Sequence, residues 1–173
     1  VAVHVGQAAA GLGPDGLGLF ILDGAKILPV HIPSEQPLDQ HIINLSKGSG
    51  NDIYILTTAS RLWKYSDNRV KAISLPHINR CINAVLPDRN GGFYIGGCDG
   101  CYYYAADGKT TRILSAYCNN LLYISRDSIL ISALNGLYLI HDPRTYKKIV
   151  FPGVDSCAFM SIKNLNKFYL LAT

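Results

Sequence analysis

Charge is scarce in this chain. Asp, Glu, Lys and Arg make up 16% of its 173 residues, against 49% apolar ones. That balance excludes a disordered tail and suits one domain with a real core. The net charge of +4 is mild, and Lys147-Lys148 is the only basic doublet. A nucleic-acid partner needs clustered basic residues, so none is expected. No apolar run approaches the roughly 20 residues of a membrane span, so this segment is not expected to insert directly into a bilayer. The chain starts at Val1 with no basic stretch ahead of an apolar one, and so reads as the start of a mature chain or of a fragment. Methionine is nearly absent too. Eleven Tyr against one Met, with many Val, Ile and Leu, lean towards β-structure.

Catalytic motifs are also missing. No Ser lies in a G-x-S-x-G elbow, and the glycine-rich Gly11-Leu12-Gly13-Pro14-Asp15-Gly16 lacks a P-loop lysine. His4, His31, His41, His77 and His141 show no paired spacing and read as loop or surface residues. The five cysteines, at 81, 98, 101, 118 and 157, are odd in number and irregular, unlike a disulfide framework. Cys98-Asp99-Gly100-Cys101 has C-x-x-C spacing, but a zinc site needs a second ligand pair and a thioredoxin-like pair needs a helix N-terminus. These two cysteines read as small residues flanking a turn, with a disulfide across that turn or an adventitious metal as the alternatives. No cofactor is expected.

What the chain does contain is a repeat. Gly91 to Gly108 reads GGFYIGGCDGCYYYAADG: an apolar run, a Gly-rich turn, an aromatic run and a second turn. Gly-Gly and Asp-Gly between β-rich runs are hairpin signals, because glycine reaches positive φ at no steric cost. Related stretches start at Ile53, Ile129 and Phe168, at a spacing of about 36 to 40 residues. Each copy resolves into four short strands. The first strands are Ile42–Leu45, Ile82–Leu86, Leu121–Ile124 and Ala158–Ile162, and the fourth are Val70–Leu75, Thr110–Leu114 and Lys147–Phe151. Near the N-terminus, Leu19–Gly24 matches a third strand with its turn and Ala25–Ile32 a fourth, while Val1–Val5 fits a second strand.

Four-stranded units at this period read as the blades of an all-β β-propeller, built of antiparallel meanders. Strands apolar on both faces suit sheets sandwiched between sheets. The approximate units are 1–41, 42–81, 82–120, 121–157 and a partial 158–173, within a single propeller segment over 1–173. About four blades suggests part of a larger ring, whose open faces would be covered by self-association or by the remainder of the same propeller, with closure as a four-bladed ring as the alternative. The recurring Asp23, Asp67, Asp107 and Asp142 are expected to serve turn amides. Of Tyr102-Tyr103-Tyr104, only the first and third can share a face.

Ile53–Asp67, Phe93–Asp107, Ile129–Asp142 and Phe168–Thr173 resemble the two-component-regulator type of propeller repeat. Such repeats form the extracytoplasmic sensor region of bacterial hybrid histidine kinases. Here Tyr54, Tyr94, Leu130 and Tyr169 stand where the repeat carries a second-strand tryptophan, and Trp63 lies in a third strand. The resemblance implies a periplasmic, non-catalytic ligand-sensing propeller, with an oligosaccharide as one ligand class. A protein-interaction propeller of WD-repeat or kelch type is the alternative, and a propeller lyase or hydrolase a second. Propellers bind ligands at the end that carries the loops between strands two and three and between strand four and the next first strand. That end holds Thr58, Ser60, Asp99 and Asn135 from the first set and His77, Asn79, Arg80, Tyr117, Asn119, Asn120 and Asp155 from the second. Of these, His77, Asn79, Arg80, Asp99, Tyr117, Asn119, Asn135 and Asp155 are the candidate ligand-binding residues.

Overall fold

The computed structural model describes residues 19–23, 26–30, 42–67, 69–75, 81–150, 158–159, 161–165 and 168–172. Three antiparallel four-stranded meanders fill its centre. The first contains β3 (Ile42–Lys47), β4 (Ile53–Thr57), β5 (Leu62–Ser66) and β6 (Arg69–Ile73). The second contains β7 (Ile82–Pro87), β8 (Phe93–Gly97), β9 (Gly100–Tyr104) and β10 (Thr110–Leu114). The third contains β11 (Cys118–Ser125), β12 (Ser128–Ala133), β13 (Gly136–Asp142) and β14 (Thr145–Ile149). Ahead of them β1 (Leu19–Asp23) pairs with β2 (Lys26–Val30), as the third-and-fourth-strand reading expects, and after them β15 (Ser161–Leu165) pairs with β16 (Phe168–Ala172). Val1–Val5 lies outside the described residues. No helix among the described residues is long and apolar enough to cross a membrane.

Several strand ends differ by one or two residues from the sequence expectation, and two first strands start three residues away from it. β11 starts at Cys118 rather than Leu121, because a bulge carries pairing with β12 on past Asn120. β15 starts at Ser161 rather than Ala158, and Phe159 instead donates its N–H to the Ala133 carbonyl of the sheet before.

The sheets stack through alternating faces. Ile55, Ile95 and Ile131 occupy one position of the second strand in each blade, and all three are fully buried. Ile95 joins Leu56, Leu62, Val85 and Tyr104 in the layer between the first and second sheets. Ile131 joins Tyr94, Cys101, Ile113 and Leu121 between the second and third. One pleat further along, Tyr94 faces forward where Ile95 faces back, as a period of two demands. Each such isoleucine contributes roughly 2–3 kcal/mol of burial. The aromatic run behaves likewise: Tyr104 stacks on Phe93 towards the first sheet, and Tyr103 meets Tyr94 towards the third.

Innermost contacts run from one first strand to the next, β3 to β7 to β11 to β15. Each of β3, β7 and β11 has a bulge near its start, leaving Ile43, Asn83 and Asn119 outside the register. A bulge re-aims its side chain out of the pleat. The amide of Asn83 donates to the Cys118 carbonyl of the next blade at 2.9 Å, and that of Asn119 to the Phe159 carbonyl at 2.9 Å. Ile43 has no amide. There the first and second blades are joined by the Ser46 hydroxyl donating to the Val85 carbonyl and the Ile82 N–H donating to Ser60 Oγ.

The turn aspartates act as expected at two sites. Asp107 Oδ1 accepts from the Lys109 N–H at 3.0 Å, and Asp142 Oδ1 from the Arg144 N–H at 2.7 Å. Each carboxyl is held below its ordinary value, Asp107 chiefly by that backbone bond and Asp142 chiefly by the Thr145 hydroxyl. One sequence reading is corrected. Cys98 is not merely a turn residue, nor is it bonded across its own turn to Cys101. It forms a disulfide with Cys81, whose Cα lies 5.5 Å away. The turn brings Cys98 beside the chain entering β7, where its N–H donates to the Cys81 carbonyl at 3.0 Å.

Candidate functional site

The meander places the β4–β5, β8–β9 and β12–β13 turns at one end of the blades, together with the starts of β7, β11 and β15. Four of the eight candidate residues, His77, Asn79, Arg80 and Asp155, lie outside the described residues. The structure gives the other four internal work. Asp99 is exposed in the β8–β9 turn, where its carboxylate accepts from the Tyr102 hydroxyl at 2.8 Å and its carbonyl accepts from Arg112. The Arg112 guanidinium sits 5.7 Å over the Tyr102 ring. Burial, and then the bond to Asp99, raise the Tyr102 hydroxyl above its ordinary value. Tyr117 is half-buried and its carbonyl accepts from the Leu134 N–H at 3.0 Å. Asn119 is the bulged fastener to Phe159. Asn135 is exposed in the β12–β13 turn and bonds the Tyr138 hydroxyl. Of the neighbours named with them, Ser60 fastens Ile82 and Asn120 Oδ1 accepts from the Leu121 N–H at 2.7 Å. Asp99 and Asn135 thus sit in turns of neighbouring blades, while Tyr117 is tied to the turn of the third blade and Asn119 fastens that blade to the segment beyond it.

The opposite end holds a cleft that the motif reading missed. It has a volume of about 310 Å³ and opens between the second and third blades, above the layer built on Ile131. Its floor is aromatic: Tyr94 and Tyr103 meet at 4.8 Å between ring centres, with Tyr123 beside them. Polar turn residues form the rim, Asp88 and Arg89 from β7–β8, Arg126 and Asp127 from β11–β12, and His141 and Asp142 from the end of β13.

The local chemistry explains why these groups stand there. Asp88 opens a tight turn by accepting the Asn90 N–H, and its other carboxylate oxygen takes the Tyr103 hydroxyl. Tyr123 donates to the Pro87 carbonyl at 3.3 Å across the blade joint. Ser128 Oγ and His141 Nδ1 are 2.8 Å apart. Burial is the largest cause of the raised hydroxyls of Tyr94, Tyr103 and Tyr123, and Tyr103 is pushed up to about 12. These phenols stay protonated at neutral pH and can donate or accept hydrogen bonds. Carboxylates and guanidiniums of both signs share the rim, so the cleft suits a polar ligand with an apolar face rather than a bare ion. The sequence carries a signal for this cleft: the turn stretches Asp88-Arg89-Asn90 and Arg126-Asp127 flank strands that carry tyrosine at inward positions. Among the described residues no group of His, Cys, Asp and Glu is arranged to hold a metal ion.

Radially stacked four-stranded meanders joined first strand to first strand define a β-propeller. The comparisons agree on that fold. The extracellular domain of the hybrid two-component system BT4673 from B. thetaiotaomicron matches with a TM-score of 0.65 at 20% identity, over 89% of this chain and 23% of that one. The corresponding domain of BT3049 from the same organism gives 0.59 at 20% identity, over 84% and 21%. Virginiamycin B lyase from Staphylococcus aureus gives 0.66 at 14% identity, over 86% and 53%. The chain therefore spans less than a quarter of those two-component domains. No protein-family model matches the sequence, and no curated protein matches it significantly.

Proposed function

We propose that this chain is part of the extracytoplasmic ligand-sensing propeller of a bacterial two-component system. It binds its ligand without changing it, and that ligand is an oligosaccharide held in the tyrosine-floored cleft. The observation that carries the sensor reading is the likeness of its blades, over 89% of the chain, to the extracellular domain of a two-component system. The cleft supports the ligand class. A sugar ring presents a C–H face to the Tyr94–Tyr103 pair, while its hydroxyls meet Asp127, Arg89 and Arg126 on the rim. Because β8 and β9 form one wall and β12 and β13 the other, a bound ligand favours one packing of the two blades over another. A signal needs such differential contact.

The test is a calorimetric titration of the protein with a panel of neutral and acidic oligosaccharides. At least one is expected to bind, and to be recovered unaltered by mass spectrometry. Arg89→Ala with Arg126→Ala is expected to weaken binding at least tenfold, and Asn135→Ala at the other end to leave it unchanged. Loss with Asn135→Ala alone would return the site to the other loop end. Turnover of the sugar would make the protein an enzyme, and no binding to any member would remove the ligand class.

A further inference from the structure

Four of the five cysteines gather at one corner of the second and third blades. Cys81 and Cys98 are joined, tying the entry of β7 to the β8–β9 turn. Cys101 and Cys118 are free thiols with no exposed surface. Cys101 lies on β9 directly opposite Gly96 of β8. Cys118 begins β11 of the next sheet, and its sulfur lies 2.5 Å from where a Cβ on Gly96 would stand. The side chain missing at Gly96 is what lets Cys118 approach the β8–β9 pair. Cys101 shares the face of the sheet on which Gly96 lies, so the two thiols stand side by side within one apolar cluster, where the Cys118 thiol also reaches the Asn120 carbonyl at 3.8 Å. Burial in such surroundings rules out a reactive surface nucleophile, and no metal-binding group is present among the described residues. Two thiols in contact across a blade joint leave one chemistry to consider.

We propose that Cys101 and Cys118 form a second disulfide, which joins the second blade covalently to the third. The oxidant is a protein or small-molecule disulfide. One cysteine thiolate attacks a sulfur of that disulfide, giving a mixed disulfide and expelling one thiol of the oxidant. The second cysteine thiolate then attacks the bonded cysteine sulfur, closing Cys101–Cys118 and expelling the other thiol. The two cysteines lose two protons and two electrons, and the oxidant is reduced to two thiols. In the closed fold the Cys101 thiol beside it and then burial hold the Cys118 thiol well above its ordinary value, where thiolate is scarce. Oxidation therefore belongs to the stage before the third blade docks, and the finished bond is sheltered from reductant. With Cys81–Cys98 it clamps the crossover that carries Tyr117 and the turn that carries Asp99.

The experiment is refolding of the whole chain in a glutathione redox buffer, so the outcome does not depend on where a cell places the protein. The folded product is denatured without reductant and alkylated. A single alkyl group, on Cys157, is expected, together with an unreduced peptide pair that holds Cys101 and Cys118. C101S is expected to take two alkyl groups. Reductant is expected to lower the unfolding midpoint of the parent chain more than that of C101S/C118S, where only Cys81–Cys98 remains to be lost. Three alkyl groups on the folded, oxidised parent chain, or a linked peptide holding Cys157, would overturn the proposal.

Discussion

Replacing Asn83 tests how the blades are held together. Its amide donates at 2.9 Å to the carbonyl of Cys118, a residue with no exposed surface, and no strand partner lies opposite Asn83 because it occupies the bulge. Asn83→Ala removes a hydrogen bond worth about 1 kcal/mol net and leaves a buried acceptor unpaired at about 1 kcal/mol more. The expected loss is roughly 2 kcal/mol, or about 4–8 °C in Tm for a chain of this size. Asn83→Asp keeps the shape but points a carboxylate at a carbonyl oxygen. It is expected to cost about 1 kcal/mol more than the alanine at neutral pH. The sign then reverses with acid. Once protonated, the introduced carboxyl can donate, so the aspartate variant is expected to regain ground on the alanine variant below about pH 4. Urea denaturation of the three proteins at neutral and acid pH measures all of this. An alanine variant within about 0.5 kcal/mol of the parent, or an aspartate variant equal to it at every pH, would refute the fastener.

Two further outcomes follow from packing and burial. Gly96→Ala places a methyl 2.5 Å from the Cys118 sulfur and is expected to cost about 2 kcal/mol; adding Cys118→Ala should recover part of that loss, and additive losses in a double-mutant cycle under one reducing condition would argue against the contact. Burial raises the hydroxyls of Tyr103 and Tyr104 from 10.0 to about 12, so the protonated form is favoured in the fold; the stability they contribute is complete below pH 10 and lost as pH rises towards 12, and near-ultraviolet titration should show these tyrosines ionising only with unfolding, whereas ionisation of all eleven together near pH 10 in a folded chain would contradict it.

The sequence by itself determined the repeat, the strand order within each blade and the strands apolar on both faces, because these depend on local turn chemistry and on a side-chain period of two. It also determined that Tyr103 and Tyr104 face opposite ways, and that Asp107 and Asp142 serve their turns. Only the tertiary structure decided what happens between blades. Asn83 and Asn119 look like ordinary polar loop residues until the bulges aim them at the next blade's carbonyls. Tyr94, Tyr103 and Tyr123 come from three strands of two sheets, and no spacing in one copy shows that they close a single floor. The stretch from Gly91 to Gly108 displays Cys98 and Cys101 as neighbours, yet a hairpin turn sends the first to Cys81 and the second into the layer shared with the third blade. Pairings of this kind join residues about 17 apart through the fold of separate strands, and a motif read along the chain does not contain that information.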